Sequence, residues 1–499
     1  MIRVNERRQH NCNLKYEGYI INQGQAMDTS FTERSAPTVY AVNHPLPFHI
    51  LAARIDALPP SWGLWRFIIL LSLGGLFELY DLFQTAYIST GLMNENIFHA
   101  GQAGLLGVSD QATFACVTFL GLFVGASVLA PQADKLGRRS AFMFALAWYG
   151  AFSLLMAFQH QAQGVILCRF LVGIGLGVEL VTIDTYLSEW MPTHLRNRAF
   201  ALAFFMQFLS VPAVALMSWW LVPHQFWGLS GWRYVVIIGA LCSLVVWLLR
   251  RNLMESARWL VSRGRYREAE QVMTAMEHRC GVQPGETLTP PQSVIISPSR
   301  GRFRDIWSPR YRRRTLMLMV MNVFQAIGFF GFGNWLPTLL AGQGATVTHS
   351  LLYAFFITLA YPLGSLLCCW YIGKLENKWH IVLSSLMTVV CGTLFAFQTQ
   401  PLWLIVCGFL VAYSNAWLTI SYHAYQTEVF PTAIRARGVG FCYSFSRLST
   451  AFSSLLIGLI LQLYETSGVL AFIIISMLTV VVTVGVFGPR TRGVRLENI

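Results

Sequence analysis

Tyr186-Leu187-Ser188-Glu189-Trp190-Met191-Pro192-Thr193-His194-Leu195-Arg196-Asn197-Arg198 returns about half a chain later as Tyr425-Gln426-Thr427-Glu428-Val429-Phe430-Pro431-Thr432-Ala433-Ile434-Arg435-Ala436-Arg437. Both copies read Tyr-x-(Ser/Thr)-Glu-x-x-Pro-Thr-x-(Leu/Ile)-Arg-x-Arg, and each stands between two long apolar runs. So ordered a pattern does not recur by chance, and it marks an internal duplication.

The composition says what kind of bundle was duplicated. Of 499 residues, 55% are apolar and 12% charged, which is more apolar surface than one or two water-soluble cores can bury. Apolar runs of about 20 residues, enough to cross a ~30 Å hydrocarbon layer as helix, recur along most of the chain. They are too long and too continuously apolar for barrel strands. The expected fold is an all-α integral membrane protein with twelve transmembrane helices in two six-helix parallel repeats. Its divisions are a tail (1–64), a first six-helix half (65–250), a linker (251–314), a second half (315–488) and a short tail (489–499). Translation could begin at Met1 or at Met27.

A net charge of +13 could suggest nucleic acid as a partner. The cations, however, sit in short clusters between apolar runs: Lys135, Arg138 and Arg139; Arg196 and Arg198; the linker; Lys374 and Lys378; Arg435 and Arg437. The alternate connections, such as Met93 to Asp110 and Tyr464 to Gly468, carry no Lys or Arg. By the positive-inside rule both termini and the linker are expected in the cytoplasm of a cell with an inner membrane, and no nucleic-acid partner is expected. Most of the ten cysteines lie within apolar runs without metal-like spacing, which suits reduced, buried thiols.

Ala130-Pro131-Gln132-Ala133-Asp134-Lys135-Leu136-Gly137-Arg138-Arg139 stands between the second and third spans, and Arg169-Phe170-Leu171-Val172-Gly173-Ile174-Gly175-Leu176-Gly177 opens the fourth. Met254-Glu255-Ser256-Ala257-Arg258-Trp259-Leu260 follows the sixth. As a set these resemble the loop, span-four and Pro-Glu-Ser-Pro-Arg-Trp-Leu signatures of the major facilitator superfamily. Ala130 replaces the family's first glycine, and both prolines of the last motif are missing. The resemblance implies a secondary transporter working by alternating access as a monomer, with Asp134, Arg138, Arg139, Arg169, Glu189, Arg196, Glu428 and Arg435 as gating residues at helix ends. Alternatively such charges only mark the headgroup level.

Arg447 lies well inside an apolar run, where a cation costs several kcal/mol unless it meets water or a partner. Tyr443, Ser444, Thr450 and Ser454 surround it at helical spacing, so one face of that span is polar. This resembles the organic-ion branch that includes bacterial nicotinate transporters, as do Arg54 to Pro60 and Gly177-Val178-Glu179; a helix–helix ion pair is the alternative. Glu78 and Asp81 stand three apart in the first span, hence on one face. Buried there, they must be protonated or paired, and aromatic-acid proton symporters carry Asp-Gly-x-Asp in the same place. Glu78, Asp81 and Glu179 are therefore the proton-coupling candidates. Asn322, Gln325, Phe329, Asn415, Tyr443 and Arg447 are the substrate-binding candidates.

No phosphate-cradling loop, metal set or catalytic constellation is legible, so neither an enzyme nor a cofactor is expected. The expected partners are a small-molecule substrate, protons and membrane lipid. The reading is a carrier for an aromatic or nicotinate-like carboxylate, probing against two alternatives: a porter for sugars, neutral metabolites or organic cations, and a non-transporting sensor of the same fold.

Overall fold

Lipid offers no hydrogen-bond partner to a backbone, so apolar runs that cross it must satisfy their own N–H and C=O groups as helices. The computed structural model describes residues 48–99, 107–129, 137–192, 194–251, 253–282, 303–371, 375–430 and 434–490. The gating candidate Asp134 lies outside the described residues, as do the tails to 47 and from 491 and the Pro/Ser/Thr-rich linker stretch 283–302. The side chain of Arg196 also lies outside them.

The first six spans are Trp62–Asn94, Asp110–Leu129, Arg138–Ala157, Ala162–Trp190, Arg196–Leu221 and Gly231–Arg250. Span seven is Arg312–Gly333, followed by the short helix Leu336–Gly342. Span eight runs as Val347–Thr358 and Ala360–Tyr371, interrupted where Pro362 removes a backbone donor. Spans nine and ten are Asn377–Phe397 and Pro401–Val429. The last helical run, Arg435–Phe487, has 53 residues. As one rod it would measure ~80 Å, more than twice the hydrocarbon thickness. Glu465, with φ 55° and ψ −158°, breaks it into spans eleven and twelve. The turn separating these two legs is shorter than the Tyr464 to Gly468 connection expected from the sequence.

Within the first half, span one packs on spans five and six, and span four on spans two and three. In the second half, span seven packs on the Arg435–Phe487 run, and span ten on spans eight and nine. The halves meet along two seams, span two against the Arg435–Phe487 run and span five against span eight. Gly458 permits the first seam, because a Cβ there would strike the methyl group of Ala112. Leu241, Leu244 and Leu248, three and four residues apart on span six, are about half exposed and form a lipid-facing stripe.

On the face that carries the linker, structure extends into regions read from sequence as tail and connection. A helix at Phe48–Asp56 precedes span one, and the linker holds helices at Ala257–Ser262 and Tyr266–Arg279. The two linker helices are separated at Gly264, whose φ of +73° ends the first. Leu51, Ile55 and Leu58 pack with Leu260, Met273 and Met276 in one core. Arg54 spans the joint, with Nη1 2.8 Å from Glu270 and Nη2 2.8 Å from Glu277.

Candidate functional site

Between the halves lies a cavity lined from spans one, four, five, seven, ten and eleven. Among its polar groups are Glu78 and Gln207 from the first half, and Gln325, His423, Tyr443 and Arg447 from the second. Arg447 Nη2 donates to the Tyr443 hydroxyl at 2.8 Å, and its guanidinium lies 5.0 Å from the Tyr443 ring centroid. The two are one helical turn apart, so their backbone fixes the pair. The walls are aromatic: His423 stacks on Tyr422 at 4.4 Å between centroids and meets Phe204 of the other half at 5.3 Å. A cation with one planar face toward a ring, amide donors and flat apolar walls suits a flat organic molecule with an anionic group.

Going away from the linker face, rings from both halves cap the cavity. Spans one, five and seven all start on that face, so Phe83, Phe208, Phe329 and Phe330 lie a turn or more beyond Glu78, Phe204 and Gln325. Tyr361 of span eight contacts Phe83 at 5.8 Å and Phe208 at 5.6 Å, and Phe330 contacts Phe119 at 4.7 Å. Farther out, Gln111 Nε2 donates to the Thr338 hydroxyl at 2.8 Å, joining the two halves. The closed side is thus the face opposite the linker.

The acids of the first half part ways. Glu78 lines the cavity, whereas Asp81 is sealed beneath it against Arg169 of span four, Nη1 to Oδ1 3.0 Å. Arg169 also donates from Nε to the Thr118 hydroxyl at 3.0 Å and from Nη2 to the Thr85 hydroxyl. Glu189 lies 20 residues farther along the same helix, ~30 Å away. Arg169, expected among the gating charges, therefore sits near the far-face end of span four beside a coupling candidate. Glu179 faces Arg250 of span six at 3.8 Å, both fully buried. Arg250 Nε donates to the Leu70 carbonyl at 2.8 Å, which ties the pair to span one.

On the linker face, Arg138 pairs with Glu189 at 3.1 Å. Glu255, within a quoted motif but not among the candidates, accepts from the backbone N–H groups of Arg138 at 3.0 Å and Arg139 at 3.2 Å. It caps span three where the orphan donors and the positive helix end favour a carboxylate. The Arg139 side chain donates to the Arg251 carbonyl. Glu428 accepts from Asn377 Nδ2 at 2.7 Å, and Arg435 Nε donates to the Phe430 carbonyl at 3.3 Å.

Of the six substrate-binding candidates, Arg447, Tyr443, Gln325 and Phe329 come together in the cavity. Asn322 is instead buried, donating to the Leu318 carbonyl at 2.9 Å and to Gln426 at 3.4 Å. Asn415 is likewise buried and outside the cavity lining. His423, Gln207 and Phe204 were not singled out. An amide such as Gln207 inside an apolar span was the available signal, since it needs a polar surrounding.

Two bundles of six helices around a central polar cavity define a secondary transporter of the major facilitator type, a multi-pass membrane protein and not an enzyme. The chain belongs to the sugar (and other) transporter family, whose model matches residues 67–499. It is 29% identical over 458 residues to YyaJ of Bacillus subtilis (strain 168), a protein named for metabolite transport, covering 91% of this chain and 99% of that one. It is 26% identical over 452 residues to the niacin transporter NiaP of Acinetobacter baylyi, covering 90% and 99%. The partially occluded inward-open structure of the xylose transporter XylE from E. coli matches with a TM-score of 0.68 at 15% identity, over 87% of this chain and 100% of that one, a likeness of fold.

Proposed function

We propose that this transporter moves a small organic acid, an aromatic or nicotinate-like carboxylate, by proton symport across the inner membrane, with its termini and linker in the cytoplasm. The observation that carries the reading is Arg447 on the wall of the central cavity, backed by Tyr443. A carboxylate bound there neutralises a cation that is otherwise costly at this depth. The similarity to a niacin transporter supports the same cargo. Protonation of a span-one carboxyl keeps the loaded cavity near neutral, so substrate and proton favour each other's binding, and the coupling is reciprocal. Glu78 meets the cargo directly, while Asp81 would feel it through Arg169 and the span-one helix.

The test is uptake of labelled nicotinate by proteoliposomes with and without an imposed pH gradient. Accumulation that follows the gradient and disappears in Arg447→Ala supports the reading; uptake indifferent to both overturns it. A neutral or cationic cargo is the second reading, favoured by the amides Gln207 and Gln325 and the acid Glu78 on the same walls. Saturable uptake of a sugar or an organic cation that survives Arg447→Ala would establish it.

A further inference from the structure

Span seven starts on the linker face with three consecutive cations, Arg312, Arg313 and Arg314, and has no acid in its first turn. A helix start is where a cation is least favourable, so the run does not serve the helix itself. Arg314 turns inward, its Nη1 donating to the Val429 carbonyl at 3.3 Å. Arg312 and Arg313 stay exposed, and no ion pair among the described residues includes either. Both stand one turn nearer the linker face than Leu316, which is 46% exposed and faces lipid. The Arg313 guanidinium also lies 5.3 Å from the ring centroid of Phe487, the half-exposed last residue of span twelve, and exposed Arg490 follows it. The segment leading into span seven keeps the same level. Its turn Phe303–Trp307 is pinned by fully buried Ile306, whose carbonyl accepts from the Thr315 hydroxyl at 2.8 Å. Phe303 and Trp307 remain exposed, yet rest on Phe441 of span eleven at 5.3 and 5.8 Å between centroids. Rings and cations side by side at the end of a span are the make-up of the headgroup region.

We propose that this surface is a docking site for an anionic phospholipid of the linker-side leaflet, whose phosphate pairs with Arg312 and Arg313 and whose acyl chains cover Leu316 and Phe487. Guanidinium groups hold phosphate oxygens through paired, charge-assisted hydrogen bonds, and each arginine near an anionic leaflet adds about fivefold to the attraction. A soluble anion would neutralise the arginines but leave the apolar residues beside them uncovered. A zwitterionic lipid covers those residues but brings a cation of its own to a surface already in excess. Only a lipid with net negative charge meets both requirements. Bound there, it ties span seven to span twelve along their outer seam. Nothing in this contact involves the central cavity, so it does not depend on the nature of the cargo.

The experiment is native mass spectrometry of the purified full-length protein titrated with phosphatidylglycerol, with phosphatidylcholine and with glycerol 3-phosphate, counting what stays bound. Phosphatidylglycerol should be retained about tenfold or more tightly than phosphatidylcholine, and glycerol 3-phosphate should not displace it. Arg312→Gln combined with Arg313→Gln should remove most of that preference. Arg267→Gln, which takes an exposed cation from the linker helix Tyr266–Arg279, should leave it within about twofold. Equal retention of the two lipids overturns the proposal, as does displacement by glycerol 3-phosphate. So does a preference that survives the double variant, or one that Arg267→Gln abolishes equally. Should the double variant fail to fold, Arg313→Gln alone, expected to lose about fivefold, decides in its place.

Discussion

At position 447 the charge and its shape are separable. Arg447→Lys keeps the cation but loses the planar two-pronged contact with a carboxylate, and should weaken binding by about tenfold or more; Arg447→Ala should lose about 1.5–3 kcal/mol or more, to be read by calorimetric titration with the acid. The span-one acids should behave unequally. Asp81→Asn strips the charge partner from fully buried Arg169, and breaking such a pair costs about 3–5 kcal/mol, so its melting temperature should fall well below that of Glu78→Gln. On the symport reading, the one of the two that takes up the proton should, when amidated, still exchange substrate but no longer accumulate it against a gradient. Retained accumulation in both variants would remove span one from the coupling. Arg447, Glu78 and Gln325 were legible because polar groups inside apolar runs need a reason. Asn322 shows the limit of that argument: it stands only three residues from Gln325, yet it turns to its own helix and to Gln426. Sequence spacing places residues on one broad face, and only the neighbouring helices decide which edge of it meets the cavity.

Elements carry the closure. The ring cluster on Tyr361 joins spans one, five, seven and eight, and each ring pair contributes about 0.5–1.5 kcal/mol. Tyr361→Ala should therefore shift the population by about 1–3 kcal/mol toward opening of that face. Spin labels at Trp227, which is 97% exposed, and at exposed Thr348 should report a longer mean separation; an unchanged distance distribution would relieve the rings of a gating role. Just past span one, Glu95 is clamped by Trp232 Nε1 at 2.9 Å, Arg233 at 3.1 Å and the Ser230 hydroxyl. Burial alone would raise its carboxyl, but those hydrogen bonds and the Arg233 charge outweigh that and hold it below the ordinary range. A carboxyl lowered in the fold stabilises above its ordinary value and loses that contribution as pH falls through the lowered one. Acid should accordingly weaken the span one–span six joint, and Glu95→Gln should flatten the melting temperature's dependence on pH below about pH 4.5. The spans themselves could be read from hydropathy alone. Two features could not: the joining of spans eleven and twelve through Glu465, which rests on one backbone conformation, and the docking of Phe48–Asp56, which rests on partners more than 200 positions away.

For the whole molecule, the side on which the cations fall sets orientation. Reporter fusions at Met27, Pro290 and the C-terminus should all read cytoplasmic, and an external signal at any of them would invert the assignment. The doubling of the Tyr-x-(Ser/Thr)-Glu motif made the two-bundle plan visible before any helix was placed. What duplication could not reveal is how far the copies have diverged in their interiors. Asp81–Arg169, Glu179–Arg250, Glu189–Arg138 and Glu95–Arg233 all lie within the first copy, whereas Arg447 rests on a tyrosine of the second. Substitution at the buried pairs Asp81–Arg169 and Glu179–Arg250 strands a charge and is costly; around Arg447 a change alters a cavity wall. The wall around Arg447 can therefore be refitted without stranding those charges, and it is the more forgiving side of a cavity whose other wall, with Glu78, Gln207 and Phe204, belongs to the first copy.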